Sequence, residues 1–110
     1  MQSESQLQTA IYTWFHNAYP HLRGLLCYNL NNSRNKIDGN RNRALGLQKG
    51  RADMVFYYAG RAYHIEIKTE TGEQSPAQKK WQRLIESHGF SYYIVRSEAE
   101  FQQLVTEIIV

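Results

Sequence analysis

Two apolar runs on either side of a short glycine-containing segment constrain this fold more than any other feature of the chain. The runs span residues 54–58 and 62–68, and both are rich in aromatic and β-branched side chains. Such runs around the connection Ala59-Gly60-Arg61 predict a β-hairpin. The register of that hairpin decides which polar residues share a face of the sheet.

A two-residue hairpin loop at Ala59-Gly60 would bring two acids face to face. Tyr58 would then lie opposite Arg61. Counting back along both strands places Asp53 opposite Glu66. Opposite Cβ atoms lie about 5 Å apart, and two ionised carboxylates at that distance repel by roughly 3 kcal/mol at an effective dielectric of about 20. A three-residue loop would break this register.

Alternation along the second strand adds a lysine to the acids. His64, Glu66 and Lys68 fall on one face, whereas Ile65 and Ile67 fall on the other. The lysine neutralises part of the repulsion, but a divalent cation between the carboxylates would offset all of it. Asp and Glu oxygens are the ligands that Mg²⁺ prefers, and the ion would lower the pKa of a bound water. The simpler interpretation is a solvent-facing strand surface with incidental charges.

Positive charge is concentrated in one segment upstream of the hairpin. The chain has a net charge of +3, and residues 34–51 carry six cations against the single acid Asp38. The cations are Arg34, Lys36, Arg41, Arg43, Lys49 and Arg51. Because arginine and asparagine suit phosphates, sugars and base edges, this Asn-rich segment is a predicted nucleic-acid-binding surface. A solvated polar loop is the alternative. Residues 41–45 within it predict one or two helical turns.

The remaining signals predict a mixed sheet flanked by helices. Capping patterns at Ser3–Gln6 and Ser75–Gln78, with an N-cap at Ser97, predict three helices. Apolar runs over residues 25–30 and 91–95 predict two further strands. The last strand is reached through a helix, so it should run parallel to the second strand of the hairpin. The predicted fold class is therefore α/β.

Length and cysteine content limit the classes of protein. A chain of 110 residues with 42% hydrophobic residues is expected to form one globular domain, spanning residues 1–110. Cys27 is the single cysteine, which excludes an intramolecular disulfide and favours a reducing compartment. No apolar run reaches the length of a membrane span, and residues 1–4 lack signal-peptide features. A cytoplasmic protein without membrane partners is therefore expected.

The order of these motifs resembles the PD-(D/E)xK nuclease superfamily, and within it the virus-type replication-repair nuclease (VRR-NUC) domain. The similar segments are GLQKGRAD at 46–53, HIEIKT at 64–69, SPAQ at 75–78, and Gly89 ahead of YYIVRS at 92–97. The resemblance covers nearly the whole chain. It implies a single VRR-NUC-like nuclease domain with a restriction-endonuclease-like mixed β-sheet flanked by helices.

Residue roles follow from the resemblance one position at a time. Asp53 and Glu66 match the metal-binding acids, with the carbonyl of Ile67 as a further ligand. Lys68 matches the catalytic lysine. Residue 52 is alanine where the family usually has proline. This departure puts the rigidity of the strand entrance in doubt without removing a ligand.

Two further residues have a structural alternative beside the role that the resemblance implies. Gln78 matches a helix glutamine that orients water or phosphate, yet the capping box needs the same side chain. Glu4 matches an acid of the first helix that contacts the metal through water, yet an acid also stabilises the first turn of a helix. Both residues belong to the predicted catalytic set.

The function that the resemblance implies is that of a Mg²⁺-dependent DNA endonuclease, with Mn²⁺ as a substitute ion. Its substrate would be structured or branched DNA in phage or bacterial replication and repair. Small size and the apolar face of the last helix predict a homodimer. A nucleic-acid-binding module that keeps the fold without cleaving DNA is the alternative. The intact set of Asp53, Glu66 and Lys68 disfavours it.

Overall fold

The computed structural model describes residues 2–29 and 36–110. The helices in these ranges are α1 (Glu4–Ala18), α2 (Lys36–Ala44), α3 (Pro76–Ser87) and α4 (Glu98–Ile109), with a 3₁₀ turn at Pro20–Leu22. The strands are β1 (Leu26–Tyr28), β2 (Met54–Tyr58), β3 (Arg61–Ile67) and β4 (Ser91–Val95). This mixture of helices and strands confirms the predicted α/β class.

The described strands form one mixed sheet in the order β1-β2-β3-β4. β1 pairs with β2, and β2 with β3, in antiparallel fashion, whereas β4 joins β3 in parallel after the α3 crossover. Tyr58 lies opposite Arg61. Positive φ values of 51° at Ala59 and 77° at Gly60 allow the two-residue turn between them. The predicted hairpin register and the parallel crossover are both confirmed.

One face of the sheet packs against α1 and α4. Ile65 and Ile67 of β3 are both 0% exposed on this face. Phe15 of α1 meets Phe56 of β2 edge-on, with ring centroids 5.4 Å apart, an orientation that aromatic pairs prefer. The other members of this core include Leu7, Ile11, Met54, Phe101 and Val105. The core therefore lies between the sheet and these two helices.

The apolar stripe of α4 is used inside the protein. Phe101 and Val105 are both 0% exposed, and Leu104, Ile108 and Ile109 pack against the same core. The face that suggested a dimer is therefore covered by α1 and the sheet of the same chain. It gives no support to the homodimer, which stays a prediction.

Helix ends follow the capping patterns in the sequence. The backbone N–H of Gln6 donates to Ser3 Oγ at 3.1 Å, and the N–H of Ser3 donates to Gln6 Oε1 at 2.9 Å. Ser75 and Gln78 make the same reciprocal pair at the start of α3. α3 ends just before Gly89, whose φ of 88° is typical of a helix terminus. None of the described helices has the length and apolar character needed to cross a membrane.

Two elements differ in length from the prediction. β1 ends at Tyr28, although the backbone N–H of Asn29 still donates to the Asp53 carbonyl at 2.8 Å. Residue 30, the predicted end of this strand, lies outside the described residues. α2 begins by Lys36, earlier than the predicted turns over residues 41–45. Its glycine and asparagines have low helix propensity, so the local pattern understated this helix.

Candidate active site

The second face of the sheet carries charged side chains that are almost completely buried. Glu66 is 0% exposed, and Lys68, just after β3, is 7% exposed. They alternate with the core residues Ile65 and Ile67, as the period of a strand requires. Lys68 Nζ lies 3.7 Å from Glu66 Oε2. The lysine and the acid compensate one another, because a single buried charge would be strongly destabilising.

Asp53 is anchored to both neighbouring strands at the entrance to β2. Its carboxylate Oδ2 accepts a hydrogen bond of 2.7 Å from the backbone N–H of Ile67. Its carbonyl accepts one of 2.8 Å from the backbone N–H of Asn29. Asp53 is therefore held beside the end of β3, where Glu66 and Lys68 lie.

The alanine that precedes Asp53 is held by a side-chain amide. Ala52 is 0% exposed, and its carbonyl accepts a buried hydrogen bond of 3.2 Å from Asn29 Nδ2. This bond anchors a strand entrance that lacks the fixed φ of proline. No sequence pattern assigned a role to Asn29, so this supporting contact was missed.

Both carboxylate oxygens of Glu66 accept hydrogen bonds from side chains. Gln78 Nε2 donates to Oε2 at 2.7 Å, and the hydroxyl of Tyr92 donates to Oε1 at 3.2 Å. Gln78 Oε1 also accepts from the backbone N–H of Ser75 at 2.8 Å. Gln78 thus caps α3 with its oxygen and reaches the acid with its nitrogen. The two interpretations of this residue are compatible.

Burial and the neighbouring acid make the negative charge of Glu66 costly. Burial raises the pKa of Glu66 to about 8, and the Asp53 carboxylate adds to the rise. The ammonium of Lys68 and the hydrogen bond from Tyr92 act in the opposite direction. The pKa of the Tyr92 hydroxyl is also raised, by burial and by Glu66. The two acids are coupled, as the hairpin register predicts.

Tyr92 and Gln74 belong to this cluster, although the sequence assigned neither of them a role. Gln74 Nε2 donates to Tyr92 Oη at 3.2 Å and to Gln82 Oε1 at 2.9 Å. Tyr92 is the partner of His64 in the parallel β3–β4 pair, which directs it to the face of Glu66. The alternation of side chains along β4 could have predicted this position. That prediction would have needed the register between β3 and β4, which are far apart in the sequence.

A close backbone contact fixes the start of α3 over the site. Gly50 has a φ of 82°, and a Cβ atom there would lie 2.3 Å from the Ala77 carbonyl oxygen and 2.8 Å from the Gln78 nitrogen. Glycine alone fits such an approach without rearrangement. The loop before Asp53 is thereby pressed against the residue that reaches Glu66.

The turn after Lys68 is held by an arginine at the end of β4. Arg96 Nη1 donates to the carbonyl oxygens of Thr69 at 2.8 Å and Gly72 at 2.6 Å. The backbone N–H of Lys68 donates to the Val95 carbonyl at 3.0 Å. These bonds fix the backbone from which the lysine side chain extends.

Comparison with known proteins supports this architecture. No family model and no curated protein matches the chain. A solved structure described as a VRR_NUC domain protein matches with a TM-score of 0.83 and 17% sequence identity, covering 99% of this chain and 89% of that one. This chain has a VRR-NUC-like fold. Identity this low establishes the fold, whereas activity must be argued from the site.

Glu4 makes no direct hydrogen bond or ion pair with the acid pair of this VRR-NUC-like fold. It lies half-buried in the first turn of α1, and its side chain makes no hydrogen bond or ion pair with a described residue. α1 packs on the core face through Leu7 and Ile11, away from the face of Glu66. The catalytic role of Glu4 stays a prediction, while its charge favours the start of α1 in any case.

The predicted basic residues lie on α2 and on the loop that leads to Asp53, except that Arg34 lies outside the described residues. The exposed ones are Lys36, Arg41, Arg43 and Lys49. Arg51 is close enough to His64 to lower the pKa of that imidazole, together with the larger effect of burial. The basic segment therefore reaches the charged face of the VRR-NUC-like sheet.

The donor set of the site suits Mg²⁺ or Mn²⁺. Within residues 2–29 and 36–110, no group of three or more His, Cys, Asp or Glu side chains could hold a metal ion. Asp53 and Glu66 supply carboxylate oxygens, and His64 instead packs against Trp81, with ring centroids 5.2 Å apart. Mg²⁺ is usually held by one or two carboxylates and several waters. Two acids therefore fit this ion and not structural zinc.

Proposed function

We propose that this protein is a metal-dependent DNA endonuclease that hydrolyses phosphodiester bonds with Mg²⁺, or with Mn²⁺ in its place. The observation that carries the proposal is the meeting of the buried Glu66 and Lys68 with the half-buried Asp53 on one patch of the sheet. Two coupled acids and a lysine reduce stability when they are buried, so a purely structural strand has no need of them. The VRR-NUC-like fold supports the same conclusion.

Each residue of the patch has a chemical role in this proposal. Asp53, Glu66 and the carbonyl of Ile67 would hold the ion, which when bound polarises the scissile phosphate and lowers the pKa of a water. Lys68 Nζ, 3.7 Å from Glu66 Oε2, stabilises the extra negative charge of the transition state. Gln78 Nε2, 2.7 Å from the same oxygen, orients that carboxylate and the water or phosphate beside it.

The substrate that we propose is structured or branched DNA of phage or bacterial replication and repair. The exposed cations of α2 and of the loop before Asp53 support a nucleic-acid partner, because exposed lysine and arginine side chains can contact phosphates. The preference for structured DNA, such as junctions or flaps, follows from the VRR-NUC resemblance. A panel of labelled DNA structures would rank them.

A homodimer is part of the proposal because one small protomer offers little surface to a duplex. Two copies would provide two sites for the two strands. The apolar face of α4 is covered within the chain, so the interface must lie elsewhere. Sedimentation velocity at micromolar concentration, with and without DNA, tests the dimer, and a monomer under both conditions would remove it.

A nucleic-acid-binding module without cleavage is the second candidate. Both oxygens of Glu66 already accept hydrogen bonds, from Gln78 and Tyr92. The same hydrogen bonds would also satisfy a carboxylate that has only a structural role. A binding module would need the basic surface but not the acid pair, so the two candidates differ in cleavage and not in binding.

Incubation with supercoiled, linear and branched DNA separates the two candidates. We expect cleavage with Mg²⁺ that stops in EDTA and in Glu66→Ala. Glu107→Ala removes an exposed acid of α4 and should cut like the parent. Cleavage that survives in EDTA or in the Glu66 variant would reject the metal site. Bound but intact DNA under every condition would favour the binding module.

A further inference from the structure

We propose that α3 and the loop before Asp53 form one basic surface that binds the phosphate backbone of DNA and leads it to the site. The surface consists of Lys49 on the loop together with Lys79, Lys80 and Arg83 on the helix, the last three being called the α3 ridge. The inference rests on the proposed function, since it takes DNA as the partner. The α3 ridge adds three cations that lie outside the basic segment at residues 34–51.

The α3 ridge is a narrow stripe on the solvent side of its helix. Lys79, Lys80 and Arg83 are all exposed. At about 100° per residue they fall within an arc of about 100°. Gln78 and Ile85 are half-buried on the opposite side of the helix, toward the sheet. The three cations therefore point to solvent together.

The charge pattern of α3 is the reverse of one that stabilises a helix. A helix favours acids in its first turn and cations in its last turn. α3 has no acid in its first turn and no cation in its last turn, and Lys79 and Arg83 are like charges four residues apart, which is destabilising. α4, by contrast, has the favourable acids Glu98 and Glu100 in its first turn. The cations of the ridge therefore do not stabilise the helix itself, but they can bind an external anion.

The cations of this surface are unpaired within the described part of the chain. The side chains of Lys49, Lys79, Lys80 and Arg83 make no hydrogen bond or ion pair with a described residue. Lysine and arginine that are free of protein partners remain available to phosphate oxygens. Such contacts hold a nucleic acid in place without reading its bases.

Gly50 joins the two parts of the surface. Its backbone lies too close to Ala77 and Gln78 for any side chain to fit between them. Lys49 therefore lies beside the first turn of α3, although 30 residues separate it from Lys79 in the chain. Gln78, one residue before the ridge, donates to Glu66 Oε2 at 2.7 Å. A DNA strand that contacts Lys49 and the ridge would therefore pass the end of α3 that carries Gln78 on its sheet-facing side.

Salt-dependent binding without cleavage tests this surface. Fluorescence anisotropy of a labelled duplex in EDTA, over a series of NaCl concentrations, measures the affinity and its salt slope. The variant that combines Lys79→Ala, Lys80→Ala and Arg83→Ala should bind at least about tenfold more weakly. Its slope of log K against log salt should fall by roughly 2 to 3, since each phosphate contact contributes about 0.9.

Two variants control for charge and for folding. The combination of Lys79→Arg, Lys80→Arg and Arg83→Lys keeps every charge and should keep the parental slope. Arg61→Ala removes an exposed cation at the hairpin, at the other end of β3, and should leave the slope unchanged. The alanine variant should unfold at the parental temperature or above it, because it removes like-charge repulsion from α3.

The outcomes separate this surface from the nuclease proposal. A parent that binds DNA while the alanine variant shows an unchanged slope would overturn the surface, and so would an equal loss in Arg61→Ala. Binding with the expected slopes but no cleavage in Mg²⁺ would reject the nuclease and leave the surface in place. A parent that binds no DNA would reject both.

Discussion

The two sides of β3 are equally buried but differ in chemistry. Ile65 and Ile67 face α1 and α4 among apolar side chains, whereas the adjacent Glu66 and Lys68 face the side of α3. None of the four residues is more than 7% exposed. Burial alone therefore does not separate core residues from site residues. The difference lies in whether the surroundings exclude charge or compensate it.

The helices on the two sides differ in the same way. α1 fully buries Leu7, Ile11 and Phe15, and α4 fully buries Phe101 and Val105. α3 has no fully buried residue and touches the sheet through polar contacts such as that of Gln78 as well as through the ring of Trp81. We therefore expect changes on the α1–α4 side to alter stability and changes on the α3 side to alter activity.

The largest expected effect tests whether residues packed against α1 and α4 control stability. Ile65→Ala should lower the free energy of unfolding by roughly 2–5 kcal/mol, because it removes buried methyl groups and leaves a cavity. Ile37→Ala is the control, since that side chain is 79% exposed on α2, and it should cost less than about 0.5 kcal/mol. Denaturant titrations measure both. Equal losses would contradict the assignment of the core.

The opposite test removes the buried lysine. Lys68→Ala should lower the single-turnover cleavage rate by roughly 10²–10³-fold, because transition-state charge loses its stabilising cation. DNA binding in EDTA should stay within a few-fold of the parent, because Lys68 is almost fully buried and far less accessible than the exposed cations. A variant with the parental rate would make this lysine a structural partner of Glu66 and no more.

A third test measures how far the acid pair opposes folding in the absence of metal. The folded-state pKa of Glu66 is raised from 4.5 to about 8. The stability that this group contributes is therefore fully present below pH 4.5 and is lost as pH rises through 8. In EDTA, Glu66→Gln should gain roughly 1–3 kcal/mol relative to the parent over this window. Parallel pH profiles of unfolding for parent and variant would contradict the raised pKa.

The smallest effect concerns two adjacent tyrosines on opposite sides of β4. Tyr92 donates to Glu66, whereas Tyr93 stacks on Tyr63, with ring centroids 6.5 Å apart. Tyr92→Phe should raise the Mg²⁺ concentration needed for half-maximal cleavage and weaken calorimetric Mg²⁺ binding by about 3- to 10-fold, the value of one hydrogen bond. Tyr93→Phe should match the parent. Equal effects would show that Tyr92 does not position the acid.

Much of the fold could be predicted from local patterns. The hairpin turn, its register, and the capping boxes at Ser3 and Ser75 all appear as predicted, because each depends on residues a few positions apart. α2 was the weakest of the helix predictions, since glycine and asparagine favour other conformations and its helical state depends on its surroundings.

The sequence by itself determined that Asp53, Glu66 and Lys68 would share one side of a β-ribbon. A two-residue turn sets the pairing, and the strand period sets the face, so both are local properties. It also determined where α1, α3 and α4 begin, because a capping residue acts on a backbone N–H within the same turn.

Only the tertiary structure decided which groups surround those residues. Tyr92 reaches Glu66 across 26 positions of the chain and Asn29 reaches Ala52 across 23. Gly50 meets α3 at Ala77. Such contacts depend on the β3–β4 register and on how loops close over the sheet, which no short pattern contains. The same packing covered the apolar face of α4 and exposed the cations of α3, because each helix has one orientation in the assembled fold.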